Sequence, residues 1–369
     1  MRSRDPRGMS LRSELKDAIT PRAFLLVLAV LGIGLGFIGS YLGAFHNPTP
    51  HGVKLGVAVP GAPTEAAVTA ARLNRLSGHP LSAVTEPSYA AAVSAIRDRT
   101  LAGALVVSAT GHSDRLLVAS AEGGALSDAL QGVMSRVEQA QGRYLVTQDI
   151  VPASAGDARG LSAFYLVVGW MVGGYLAASF LGVSAGSRPA KTRRLFIRLG
   201  ALLLYSIAAG LGGALLVYEI IPSLPSGHLL PLWGLGTLLV FAVAVFTTAL
   251  QVVAGIVGIG IAIIIFVVLG NPSAGGAYPW PLLPAFWRTI GPWLPPGAGV
   301  EADRSITYFS SHGLLVPLLV LAGYALVGLA TSAFVTARTG NGRKPLSESS
   351  PERRSQLPSE DALNRRTVR

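Results

Sequence analysis

The histidines of residues 46–160 are the side chains here that most readily do chemistry, since imidazole binds metal ions and transfers protons near neutral pH. His51, His79 and His112 lie in stretches rich in proline and glycine, and their spacing matches no metal-binding motif. The serines of this segment form no G-x-S-x-G turn, which would position a hydrolase nucleophile. We therefore expect no catalytic residue, no metal site and no cofactor, and we predict that the protein is not an enzyme.

Phosphate-binding loops are the next possible chemistry. "GIGLGFIG", residues 32–39, resembles a dinucleotide-binding fingerprint, but it lies inside an apolar stretch and neither follows a strand nor opens a soluble helix. No G-x-x-x-x-G-K-[ST] loop occurs in the chain. If this protein moves a solute at the expense of ATP, we expect the ATPase to be a separate chain.

The elements that must position any functional group are mostly apolar. Half of the 369 residues are hydrophobic and 13% are charged, whereas a soluble domain has about 25% charged residues. Six uncharged stretches of 19 to 25 residues are each long enough to cross a hydrocarbon core of about 30 Å. They are residues 23–42, 161–183, 199–218, 229–250, 252–270 and 313–337. The sequence predicts an α-helical polytopic membrane protein with six transmembrane helices.

The formal net charge of +11 is distributed unevenly along the chain. Residues 1–22, 184–198 and 338–369 together hold nineteen Lys and Arg against seven Asp and Glu. Six spans place these three segments on one side of the membrane, and the positive-inside rule makes that side cytoplasmic. We predict a protein of the cytoplasmic membrane with both termini in the cytoplasm and no nucleic-acid partner. The same basic residues can also attract anionic membrane lipid.

Residues 46–160, between the first two spans, are predicted to be an extracytoplasmic α/β domain. Strand-like segments alternate with helix-like ones, and no cysteine is available for a disulfide. The predicted strands are 53–60, 101–109, 114–121 and 144–151, and the predicted helices are 63–76, 88–99 and 125–141. The length of this segment is that of an ordinary single domain.

The two ends of the chain are polar. Residues 1–22 form a cytoplasmic leader, in which Leu11, Leu15 and Ile19 have the spacing of an interfacial amphipathic helix. The alternative is a frayed charged segment. Residues 338–369 are predicted to be a disordered, basic cytoplasmic tail.

The connection between the fifth and sixth predicted spans, residues 271–312, is unusually rich in proline and tryptophan. Trp280, Trp287 and Trp293 have the amphipathic rings that favour the headgroup level, and Phe286 shares a helical face with Trp287. Prolines and glycines interrupt the backbone at both ends. We predict a re-entrant or interfacial helical element, because irregular backbone at membrane depth must be satisfied by protein or water.

Small residues four positions apart lie in most of the predicted spans. Gly32 and Gly36 in the first span and Gly169 and Gly173 in the second are candidates for close helix packing. We expect such faces to pack helices within one subunit or between the subunits of a dimer.

The arrangement resembles the permease subunits of ABC-2-type exporters over about residues 10–337. The shared features are six spans, an amphipathic entry helix and a re-entrant element before the last span. Within that group, "SYAAAVSAIRDRTLAGALVV" and the 271–300 segment resemble phage-infection-protein-like and nitrosoguanidine-resistance-like (DUF3533-like) membrane proteins. The external domain is much shorter than in typical phage-infection proteins, and no ATPase is fused to the chain.

The resemblance implies a homodimeric or heterodimeric permease, powered by a separate P-loop ATPase, that exports a hydrophobic or amphipathic compound, a lipid or a polymer. It also implies that the connection between spans two and three contacts the ATPase, which makes Arg188, Lys191, Arg193 and Arg194 candidate coupling residues. Alternatively, these residues only enforce membrane orientation. A different function also stays open, namely a membrane-anchored interaction or envelope protein whose external domain binds a ligand or partner.

Overall fold

The computed structural model describes residues 20–109, 111–157, 159–186, 192–221 and 227–340. The predicted amphipathic helix of the leader and nearly all of the predicted tail lie outside these residues. The described chain begins with helix α1 (Pro21–Phe45), continues into a domain built on a β-sheet, and then forms a helical bundle.

The sheet of residues 53–149 has five strands in the order β2-β1-β3-β4-β5. These are β1 (Val53–Ala58), β2 (Leu81–Thr85), β3 (Gly103–Val106), β4 (Ser113–Val118) and β5 (Tyr144–Asp149). Strands β3 and β4 are antiparallel, and the other neighbouring pairs are parallel. The connecting helices are α2 (Pro63–Asn74), α3 (Tyr89–Arg97) and α4 (Gly124–Ala140).

Alternating residues of the strands fill two separate cores, because successive side chains of a strand point to opposite faces. Val53, Leu55 and Val57 pack with helices α2 and α4 on one face. Ala104 and Leu117 pack with helix α3 on the other face. Every predicted strand and helix of this segment coincides with an observed one to within a few residues.

Strand β2 is the element of the sheet that had not been predicted. Only Leu81 and Ala83 of this edge strand are buried, so its hydrophobic pattern is short. The Asn74 side chain satisfies the outer edge, since its Nδ2 donates to the Ala83 carbonyl at 2.9 Å and its Oδ1 accepts from the Ala83 amide at 2.6 Å. These two hydrogen bonds occupy the outward-facing backbone groups of Ala83, which hinders pairing with another chain at that residue.

Five helices are long and apolar enough to cross a membrane, among the residues that the structure describes. They run over Ala23–Phe45, Ser162–Ser184, Thr192–Ile220, Leu229–Ala254 and Leu315–Arg338. We label the last four α5, α6, α7 and α11, of which α11 extends over Leu315–Gly340. The protein is therefore an α-helical membrane protein. Helix α7 lies at the centre of the bundle and contacts α5, α6 and α11.

The predicted span 252–270 has a different form. Helix α7 runs on to Ala254, and the chain turns at Gly255, whose φ of +64° suits a residue without a side chain. The following apolar helix, α8, covers Val257–Ser273 and widens into a π-helical segment at Ile264–Leu269. Its 17 residues rise about 26 Å, which is shorter than a typical span.

The connection between α8 and α11 is built from short helices. It contains α9 (Ala285–Ile290), α10 (Pro295–Tyr308) and two single turns of 3-10 helix. Helix α10 packs against α5, α7 and α11 and also touches the turn Ser120–Glu122 of the sheet domain. Nearly all of its residues are buried, so α10 is the element that joins the sheet domain to the bundle.

Candidate functional site

Arg99 makes the central ionic contact between the sheet domain and helix α10. It follows α3 with a φ of +61°, a left-handed conformation that is unusual for a residue with a side chain. Its Nη2 lies 2.9 Å from Glu122 Oε1 and 2.5 Å from Glu301 Oε1, and its guanidinium lies 4.8 Å from the centre of the Phe309 ring. Arg99 of the sheet domain thus pairs with one carboxylate of its own domain, Glu122, and with one of helix α10, Glu301.

Arg304, one turn beyond Glu301 on α10, contacts backbone instead of carboxylates. Its Nη1 donates to the Gly275 carbonyl at 2.9 Å, and its Nη2 donates to the carbonyls of Gly276 at 3.2 Å and Gly160 at 3.4 Å. The residue is 2% exposed. A buried guanidinium is stabilised by such acceptors, so Arg304 ties α10 to the loop after α8 and to the start of α5.

Asp157 and Tyr308 form a further polar contact between α10 and the start of α5. Asp157 Oδ1 accepts from the amides of Leu161 at 2.8 Å and Ser162 at 2.9 Å, which caps the first turn of α5. The Tyr308 hydroxyl donates to Asp157 Oδ2 at 3.0 Å. The side chains of α10 therefore also fix the start of α5.

Asp303 is the carboxylate of α10 that has no cationic side chain hydrogen-bonded to it in the described structure. Its Oδ1 accepts from the Thr307 hydroxyl at 3.0 Å, and the residue is 4% exposed. Burial raises the pKa of Asp303 to about 7, since the charged form is disfavoured away from water.

A polar cavity of about 550 Å³ opens between the sheet domain and the helices α9 and α10. Basic and acidic side chains line it together with Trp280. The charged and titratable residues of its wall are His51, Lys54, Arg99, Glu122, Arg288, Glu301 and Arg304. We call this space the junction cavity. It is a concave, mainly cationic space of the size that binds small ligands.

The four predicted aromatic residues of 271–312 separate into two pairs. Trp280 is packed inside, where its Nε1 donates to the Ser273 carbonyl at 2.8 Å, and Trp287 packs against Ala44 at the end of α1. Phe286 is 57% exposed and Trp293 is 65% exposed. The inner pair therefore holds the connection together, and the outer pair faces the surroundings.

The predicted packing glycines also have different surroundings. Gly32 and Gly169 have open space where a Cβ would be, and Gly36 lies near Val268 of α8. A Cβ at Gly173 would lie 2.7 Å from the Tyr205 hydroxyl oxygen. Among the residues that the structure describes, a Cβ at Gly36 or Gly173 would meet another helix, whereas one at Gly32 or Gly169 would meet no atom within 4 Å.

The predicted coupling residues lie around the start of α6. Arg188 and Lys191 are outside the described residues, whereas Arg193 and Arg194 are exposed on the first turn of that helix. Arg198 points inward instead, and its Nη2 donates to the Ala178 carbonyl at 3.0 Å and to Gln251 Oε1. The basic residues of this segment therefore do not all face the same surroundings.

The sequence GVSAG at residues 182–186 matches the G-x-S-x-G pattern, but it lies outside the domain in which such a turn was sought. Ser184 ends helix α5 and donates its hydroxyl to the Phe180 carbonyl at 2.8 Å. A nucleophile elbow instead joins a strand to a helix. The described residues contain no group of three or more side chains suited to hold a metal ion.

Of the residues that line the junction cavity, sequence reasoning singled out Trp280 and considered His51, but it named none of the lysine, arginine and glutamate residues. The available signal was the cluster Glu301, Asp303 and Arg304 within an otherwise weakly charged connection. Charged residues close to membrane spans often have a function, but Arg99, the ion-pair partner of Glu301, is about two hundred residues away in sequence. Only the folded chain brings these groups together.

A scan against protein-family models found no match, and searches of curated proteins and of solved structures found none either.

Proposed function

We propose that the chain is the permease subunit of an ABC-2-type exporter, which moves a hydrophobic or amphipathic compound, a lipid or a polymer across the cytoplasmic membrane. The observation that supports this best is the broken connection before the last span. Short helices follow α8 there, and the buried helix α10 is inserted between α5, α7 and α11. An apolar route formed by such a bundle suits amphipathic cargo, because the described spans expose few charged groups.

The proposal includes a membrane orientation. Helix α8 is counted as the fifth span in chain order, which brings the total to six, and a local adjustment of bilayer thickness accommodates its shorter length. Both termini then lie in the cytoplasm with the surplus of basic residues. The sheet domain lies on the opposite, extracytoplasmic side.

A separate P-loop ATPase is the proposed source of energy, and the start of α6 is its proposed docking site. Arg193 and Arg194 are exposed there and available to an acidic surface. The chain is proposed to act as a homodimer or as a heterodimer with a second permease, as ABC-2-type exporters do.

The experiment is co-expression of the full chain with a P-loop ATPase encoded next to it, followed by co-purification and a transport assay in vesicles. Replacing Arg193 and Arg194 together by Glu should abolish co-purification, because it reverses two charges at the proposed contact. Orientation should persist, since acidic residues count little toward it. The matched control is Arg75→Glu with Arg136→Glu, which alters two exposed arginines of the sheet domain. Unchanged co-purification and transport in the first double variant would leave Arg193 and Arg194 as orientation signals.

The second candidate function is a membrane-anchored protein whose sheet domain binds a ligand or an envelope partner. The junction cavity favours it, because the sheet domain itself supplies His51, Lys54 and Arg99 to the wall. A chain that binds a ligand there, but neither associates with an ATPase nor moves a solute, would have this function.

A further inference from the structure

The junction cavity has more positive than negative charge on its wall. Lys54, Arg99, Arg288 and Arg304 face only two carboxylates, those of Glu122 and Glu301. Both carboxylates are paired with Arg99. Neither Lys54 nor Arg288 takes part in an ion pair within the described ranges. The wall thus has two basic side chains whose charge is available to a ligand.

The two buried arginines of the wall also retain donors that the protein does not use. The Nε atoms of Arg99 and Arg304 are buried and have no hydrogen-bond partner among the residues described. A buried donor without an acceptor is costly. Because guanidinium groups match phosphate and carboxylate geometry well, the positive charge of these two arginines favours an anion in the cavity.

The cavity lies close to the end of helix α1, which is long and apolar enough to cross a membrane. Trp287 packs against the last turn of α1, since a Cβ at Gly43 would lie 3.6 Å from its ring. Arg288 follows Trp287 in the sequence and lines the cavity, as does Trp280. Tryptophan rings favour the level of the lipid headgroups, so Trp280 and Trp287 are consistent with a cavity near lipid phosphates.

We propose that the junction cavity binds a phosphate ester, held by Lys54 and Arg288 in front of Arg99 and Arg304. The four cations and two carboxylates leave a surplus of two positive charges on the wall, which balances a phosphate monoester of charge about −1.5 to −2 at neutral pH. The volume of about 550 Å³ admits the ester together with the group that bears it. The ligand is the headgroup of an anionic lipid or a free phosphate ester of the same chemistry.

The test is equilibrium binding to the full chain, purified in neutral detergent. The probes are dioctanoyl phosphatidic acid, dioctanoyl phosphatidylcholine and glycerol 3-phosphate. The Lys54→Gln, Arg288→Gln double variant should bind the phosphate monoester at least about tenfold more weakly, because it removes both basic side chains that have no carboxylate partner among the described residues; tenfold corresponds to about 1.4 kcal/mol. The matched control is Arg159→Gln, an exposed arginine three residues before the start of α5 that does not line the cavity.

The two sources of the ligand give different results. Binding of phosphatidic acid but not of glycerol 3-phosphate would identify a lipid headgroup, and binding of both would identify a phosphate ester independent of its tails. Equal affinity for phosphatidylcholine, no binding of either monoester, or equal affinities in the double variant and the control would overturn the proposal. An unchanged melting temperature of the ligand-free double variant shows that the loss is one of binding. The site does not depend on the proposed transport function, because this measurement requires no ATPase.

Discussion

At the residue scale, Arg99 makes the contact between the sheet domain and the bundle. Its side chain is 5% exposed and lies between Glu122 and Glu301, each about a quarter exposed. Removing one member of such a group leaves the remaining charges desolvated without compensation. The ionic contact between the sheet domain and α10 therefore depends on the Arg99 side chain.

We expect Arg99→Gln to destabilise the full chain by about 2–3 kcal/mol, somewhat less than the 3–5 kcal/mol typical of a fully buried pair. Thermal unfolding of the purified chain in detergent measures this as a lower midpoint. Arg97→Gln is the control, since Arg97 is an exposed arginine in the last turn of α3. Equal midpoints for the two variants would contradict the importance of the contact.

A second residue-scale feature lies in the sheet domain. Arg143 Nη2 lies 2.6 Å from Asp114 Oδ1, and Glu138, whose side chain is 2% exposed, lies beside both. Burial and the neighbouring Asp114 raise the pKa of Glu138 to about 7. Burial also opposes the charge of Asp114, but the hydrogen bond from Arg143 keeps the pKa of Asp114 below its ordinary value. The two carboxyl groups thus share one cation, and Glu138 is the one that binds a proton first as the pH falls.

The pH dependence of stability follows from the raised pKa of Glu138. Its contribution is complete below about pH 4.5 and is lost as the pH rises through about 7, because the unfolded chain releases this proton at lower pH. We expect the melting temperature to fall between pH 5 and pH 8 and Glu138→Gln to reduce that fall. The contribution is at most about 3 kcal/mol.

The pKa of Asp303 is also about 7. Asp303 should therefore cause part of the fall in melting temperature to remain in the Glu138→Gln variant. Thermal unfolding at the two pH values measures the effect, with Glu65→Gln, on the exposed surface of α2, as the control. A slope as steep in Glu138→Gln as in the unaltered chain would show that Glu138 is ionised throughout this range.

At the element scale, close helix packing also involves glycines that were not among the predicted ones. A Cβ at Gly174 would lie 2.8 Å from the Val240 carbonyl oxygen, where α5 crosses α7. Gly210 and Gly236 approach each other where α6 meets α7, since a Cβ at Gly236 would lie 2.9 Å from the Gly210 Cα. Small residues allow such close approach in lipid.

These positions separate packing within a subunit from packing between subunits. Gly174→Leu should destabilise the folded chain severely, because the clash is with backbone. Gly169→Leu should leave the chain folded, since its Cβ position is open. If a dimer uses the face of Gly169, the dimer of this variant should dissociate at a higher protein concentration than the dimer of the unaltered chain.

Sedimentation in detergent measures the dimer, and thermal unfolding measures the fold. An intact Gly174→Leu chain would contradict the packing described for α5 and α7. A Gly169→Leu chain that dimerises like the unaltered protein would place the dimer contact elsewhere.

At the scale of the whole molecule, each of the two cores of the sheet domain includes one buried residue from the connection before the last span. Leu282 belongs to the core under α2 and α4, and Phe309 belongs to the core under α3. All other buried members of these two clusters lie between Val53 and Met134. The sheet domain therefore has a core largely of its own, completed at two points by the connection before the last span.

We expect residues 46–160, expressed without the spans, to unfold cooperatively but with a lower midpoint than in the full chain. The loss of Leu282 and Phe309 removes apolar burial at each face, and Glu301 no longer pairs with Arg99. Circular dichroism during heating measures the transition. A reducing agent should have no effect, because the chain has no cysteine. A broad transition without cooperativity would show that the connection is required for folding.

Local pattern predicted most of the elements. Uncharged stretches mark the long helices, and the strands β1, β3, β4 and β5 follow from short apolar runs, because these signals depend on neighbours in sequence. Strand β2 was not predicted, because only Leu81 and Ala83 of its five residues are buried. The break between α7 and α8 at Gly255 was not predicted, because an apolar run does not reveal a left-handed backbone conformation.

The sequence by itself thus determined that the chain is an apolar, helical membrane protein with a strand-containing insertion and an uneven distribution of charge. Only the tertiary structure decided which charged residues act together. Arg99 and Glu301 are separated by about two hundred residues, and no periodicity connects them. Hydrophobic patterning is a local property that many residues specify jointly, whereas an ionic contact depends on the position of single side chains after the whole chain has packed.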